Sequence, residues 1–93
     1  MHSATRTIPL SKGYIAIVDA EDYESLKDYP WFAMTVHGRA YAAHKPANSK
    51  KSFLMHRMIL KAQPGDRIFF VDDQPLNNRR QNLILKPAKK KAA

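Results

Sequence analysis

The sequence predicts an α+β fold of short antiparallel strands and hairpins with one or two short helices. Two observations carry that prediction. Apolar runs rich in β-branched and aromatic residues recur along the 93 residues, each bounded by Gly, Pro, Asn or Asp in turn positions. One acidic-headed segment, and the second half of another, carry apolar residues at helical spacing instead. The length predicts one domain, 1–93, with a modest core.

The elements follow in order. Residues 8–10 (IPL) and 14–18 (YIAIV) read as strands around a Ser11-Lys12-Gly13 turn. Asp19 is placed to N-cap a helix over 20–29, with Glu21 and Asp22 complementing its dipole, Tyr23 and Leu26 on its apolar face, and Pro30 ending it. Residues 31–36 (WFAMTV) and 39–44 (RAYAAH) flank His37-Gly38, a second tight hairpin, with Trp31 directed to the core. After a polar loop at 45–51, residues 52–61 begin as a strand and become a short helix through Met55, Met58 and Ile59. A turn at 63–66 precedes two further runs, 67–71 (RIFFV) and 83–85 (LIL). The organisation is thus hairpins and helix over 8–60, a last hairpin over 67–86, and a flexible basic tail over 87–93.

Composition narrows the function classes. The chain has no cysteine, which excludes disulfides and Cys-based zinc sites. No apolar run reaches the roughly 18 residues of a membrane span, and the N-terminus lacks the apolar stretch of a signal peptide, so the expectation is a cytoplasmic protein with no membrane partner. His2, His37, His44 and His56 show no metal-ligand spacing. Charge is informative through its asymmetry. Residues 1–30 hold three basic and five acidic residues, a net of −2, whereas 31–93 hold thirteen basic and three acidic, a net of +10. Either that is a solvated surface that keeps the chain soluble, or it meets a polyanion; the asymmetry favours the polyanion.

The stretch 71–83, VDDQPLNNRRQNL, carries the most chemistry. Together with 8–33 (IPLSKGYIAIVDAEDYESLKDYPWFA) and 54–60 (LMHRMIL), it resembles the HNH endonucleases of phages and mobile introns, the type found with AP2-like DNA-binding segments. The resemblance spans nearly the whole chain, with three pieces in the right order. It implies a ββα-metal finger, in which a divalent metal sits between a hairpin and a following helix and a histidine activates water. It matches Asp72 to the metal-binding aspartate, Asn82 to the middle asparagine that holds the loop by hydrogen bonds, Asn78 to a loop asparagine, and His56 to a histidine outside the metal site.

Three departures bear on activity. Asp73 stands where the family has its catalytic histidine, and a carboxylate with a pKa of about 4 is a far weaker base than imidazole. As consecutive strand residues, Asp72 and Asp73 are expected on opposite faces. The loop is shortened to Gln74-Pro75, and Ile84-Leu85-Lys86-Pro87 replaces the helix that would deliver another metal ligand. The expectation is a truncated ββα-like hairpin without nuclease activity and without a cofactor, Mg²⁺ being needed only for residual nicking at Asp72, Asp73 and Asn78 or Asn82. General-base loss alone costs about 10²–10⁴-fold.

The expected partner is double-stranded DNA, contacted by Arg39, Tyr41, Lys50, Lys51, Arg57, Arg79, Arg80, Lys89, Lys90 and Lys91. The alternative is an effector that uses the silent scaffold to inhibit a host protein or a nucleic-acid-processing defence complex. A weak metal-dependent nicking enzyme is the third reading. His56 is expected to be a structural, hydrogen-bonding residue and not a catalyst. Either partner permits a dimer.

Overall fold

The computed structural model describes residues 4–88. The predicted basic tail at Lys89–Lys91 lies outside the described residues. Among the described residues the fold is α+β: eight short strands in three small sheets, two short α-helices and two 3₁₀ turns.

β1 (Thr5–Pro9) and β2 (Ile15–Asp19) pair antiparallel around a 3₁₀ turn in which Lys12 and Gly13 take positive φ. The period-2 alternation holds over 15–18 of β2, with Ala16 and Val18 buried and Ile15 and Ile17 exposed, and breaks at the buried Asp19. α1 (Ala20–Leu26) follows at once and ends three residues short of the predicted span. The indole of Trp31 donates Nε1–H to the Leu26 carbonyl at 2.7 Å, which satisfies one of the orphan carbonyls at that helix end. Asp19 occupies the N-cap position, but its side chain makes no cap hydrogen bond; its carboxylate accepts the Arg80 amide N–H at 2.9 Å instead. A partner 61 residues away outcompetes the local cap.

β3 (Phe32–Val36) and β4 (Arg39–His44) form the second hairpin in the predicted register. Val36 faces Arg39, so His37 and Gly38 alone make the turn, with φ of 51° and 79°. Positive φ at both central residues gives the type I′ twist that matches paired strands. β5 (Phe53–Leu54) adds to β4 and runs directly into α2 (Met55–Leu60), as expected from the change of period. Lys61, with φ 53°, closes α2 in the left-handed C-terminal conformation usually taken by glycine.

β6 (Arg67–Phe70) and β8 (Leu83–Lys86) form the last hairpin. Its connection is not a simple polar loop. Residues 71–82 leave the hairpin and contribute β7 (Asn77–Asn78), which lies parallel to β2, pairing Ile17 with Asn77 and Val18 with Asn78. This is the one parallel pairing among the described residues, in a fold otherwise made of the expected antiparallel pairs. Asparagine is a poor strand former, so nothing local announces it.

The core gathers Ile8, Ala16, Val18, Leu26, Trp31, Ala42, Met55, Ile59 and Leu83 from every part of the chain. Each large apolar side chain buried there contributes about 1.5–3 kcal/mol. No helix among the described residues is long and apolar enough to cross a membrane.

Candidate nucleic-acid interface and the acidic loop

Asp72 and Asp73 sit in the turn that follows β6, not on the strand, and Asp73 takes φ 60°. The prediction that they point to opposite strand faces is therefore replaced by a different separation: each carboxylate has its own internal partners. Asp72 Oδ1 accepts the Gln74 amide N–H at 2.9 Å and Asn82 Nδ2 at 2.8 Å, and Oδ2 accepts Asn77 Nδ2 at 2.7 Å. These donors, Asn77 first, hold its pKa below the usual carboxylate range. Asp73 Oδ1 accepts Arg39 Nη2 at 2.8 Å, and that guanidinium likewise lowers its pKa.

Asn82 is the keystone of the loop. It is almost fully buried, its Oδ1 accepts the Asp72 amide N–H at 3.0 Å, and its Nδ2 also donates to the Asn77 carbonyl at 2.9 Å. One amide side chain thus ties the start, middle and end of residues 72–82 together. Asn78 is wholly buried, with Nδ2 donating to Met55 Sδ at 3.3 Å and Oδ1 left without a partner among the described residues.

The two carboxylates of the acidic loop are engaged within the protein. Asp72 already accepts three hydrogen bonds, and Asp73 faces a guanidinium that repels a cation. Among the described residues, no cluster of three or more His, Cys, Asp or Glu is arranged to hold a metal ion.

His56 is buried beside the Phe70 ring, 5.0 Å between centroids and edge-on, with Tyr41 at 6.0 Å. It packs among these rings, and its Nδ1 is buried with no partner among the described residues. Burial first, then the neighbouring Arg57 charge, pushes its pKa down to about 4, so the ring is neutral.

The expected DNA contacts divide into groups. Arg39, Tyr41 and Arg57 line one cleft of about 530 Å³ between the β3–β4 hairpin and β6. Arg57 donates to the carbonyls of Asp66 and Gln63, both at 2.8 Å. Lys50 and Lys51 are exposed on the 45–51 loop, outside that cleft. Arg79 donates Nε–H to Asn77 Oδ1 at 2.9 Å. Arg80 departs furthest from expectation. Its guanidinium grips the nearly buried Asp22 carboxylate through Nε and Nη2, at 2.9 and 2.8 Å, and so welds the acidic loop to α1. A bidentate pair of this kind fixes geometry, and it commits Arg80 to the fold. Its signal in the sequence is two remote opposite charges, which spacing cannot pair.

Residues that sequence reasoning missed lie on β6 and β8. Arg67 lines the cleft and stands directly opposite Lys86, a like-charge cross-strand pair with no carboxylate partner among the described residues. No family model, curated protein or solved structure matches this chain.

Proposed function

We propose that the chain binds double-stranded DNA through its basic surface and does not cleave it. The observation that carries this reading is the contrast between its charges. The carboxylates of Asp72 and Asp73 are occupied by internal hydrogen bonds, whereas Lys50, Lys51, Arg67 and Lys86 are exposed and have no carboxylate partner among the described residues. Exposed cations of this kind gain from a polyanion by counterion release. A titration of labelled random-sequence duplex at low and physiological salt tests it. Binding that weakens steeply with salt, and no Mg²⁺- or Mn²⁺-dependent nicking beyond an Asp72→Ala control, is the expected result.

A second reading, an effector that docks on a protein, draws on one observation of its own. The outer face of the β6–β8 hairpin exposes Phe69, Val71 and Ile84 side by side. No duplex binding even at low salt overturns the DNA reading and favours this one.

A further inference from the structure

The cleft beside β6 is more than a basic groove, because one of its walls is a free strand edge. The Val71 amide N–H donates to the Asn82 carbonyl at 2.9 Å, which makes 71 and 82 a hydrogen-bonded pair. Antiparallel alternation makes 69–84 and 67–86 hydrogen-bonded pairs too, and turns the backbone groups of Ile68 and Phe70 away from β8. The Phe70 carbonyl accepts the Asp73 amide N–H at 3.0 Å. The Ile68 N–H, Ile68 C=O and Phe70 N–H remain without a protein partner among the described residues. They face a cleft of about 530 Å³, within the size range of small-ligand sites.

The other surfaces of the cleft are complementary in a specific way. Tyr41 and Phe70 supply aromatic faces with centroids 6.3 Å apart, and the neutral His56 ring sits beside both. His56 is only 6% exposed and has an unpartnered Nδ1 among the described residues. Such a nitrogen costs less as a bare lone pair than as an orphan N–H, so the proton belongs on Nε2. Arg39, Arg57 and Arg67 bring three guanidinium groups to the same cleft.

We infer that this cleft binds one unpaired nucleotide, with its base against Tyr41 and Phe70 and its phosphate on the arginines. The Ile68 carbonyl and the Phe70 amide N–H, two residues apart on one edge, meet an adjacent donor and acceptor on the base. The two ends of the cleft favour a compact ligand over a through-running peptide strand. Arg39 bridges to Asp73 past one end of β6, and Arg57 bridges to Asp66 and Gln63 before the other. The inference rests on the DNA reading and names the element that would be recognised: an extruded, bulged or terminal base.

The test compares one duplex with the same duplex carrying a single unpaired 2-aminopurine, and follows the Ile68 and Phe70 amides by NMR. Deoxyadenosine monophosphate alone serves as a third probe. The expected result is binding about tenfold tighter or more for the unpaired base, a change in 2-aminopurine emission, and shifts at both amides. Val36→Trp fills the mouth of the cleft at a side chain that is 40% exposed, so the fold should persist. It should abolish the preference and leave duplex affinity unchanged. Amide shifts with the mononucleotide alone support the same chemistry for a free nucleotide; shifts only with the strand assign it to DNA. Equal affinity for both duplexes with unmoved amides overturns the inference and leaves the duplex reading standing. Binding of the unpaired duplex alone supports the inference and narrows the DNA reading to unpaired sites. An acidic peptide that shifts these amides where the nucleotide does not also overturns the inference.

Discussion

The loop at 71–82 and the cleft beside β6 grow from the same strand, yet their polar groups meet opposite fates. In the loop, Asp72, Asn77 and Asn82 satisfy one another and Arg80 anchors the whole to α1, with Asn78 Oδ1 the exception, buried without a partner among the described residues. In the cleft, three backbone groups of β6 have no partner among the described residues. Saturated polar networks rigidify a fold, while open ones are available to a ligand. The acidic loop is therefore scaffold, and the cleft beside β6 holds backbone groups still open to a partner.

The sharpest way to break this contrast is Asn82→Ala. It removes three hydrogen bonds and strands the Asp72 amide and the Asn77 carbonyl, so it should cost about 3–4 kcal/mol in urea unfolding. A loss below about 1 kcal/mol would show that the loop is no keystone.

The cleft side of the contrast has a pH signature. The His56 pKa is depressed in the folded chain, from an ordinary 6.5 to about 4. Below about pH 6.5 the unfolded chain takes up a proton that the folded chain refuses. Stability is thus fully present above pH 6.5 and falls as pH drops toward 4, by roughly 3 kcal/mol in all. Denaturation midpoints across that window should flatten in His56→Phe, and an unchanged slope would refute the assignment.

Arg80→Met sharpens the division between structural and ligand-facing cations. Asp22, nearly buried, would lose its bidentate partner, at a cost of about 1–2 kcal/mol with little change in the salt slope of duplex binding. Lys50→Ala with Lys51→Ala should do the reverse. Stability should stay within about 0.5 kcal/mol, and the slope of log affinity against log salt should fall by about 1 for each phosphate left without its lysine. Equal effects from both substitutions would erase the distinction.

Much of this was legible beforehand. The tight hairpin at His37-Gly38, the strand that becomes a helix within 52–61 and the buried Trp31 all follow from local turn chemistry or periodicity. Other features escape such reasoning because a distant partner displaces the local one. Asp19 abandons its cap for Arg80, Arg80 reaches across to Asp22, and Asn77-Asn78 trade a turn for a parallel strand on β2.

What the sequence determined by itself is whatever depends on neighbours within a few residues: where strands and helices start, which faces are apolar, and on which side of Pro30 the charge accumulates. Tertiary structure alone decided which charges are tied down and which are free. A carboxylate or guanidinium is a surface charge or a structural clamp according to what stands within about 3 Å of it. For Asp22 and Arg80, and for the open edge of β6, that neighbour or its absence is set by packing across the whole chain.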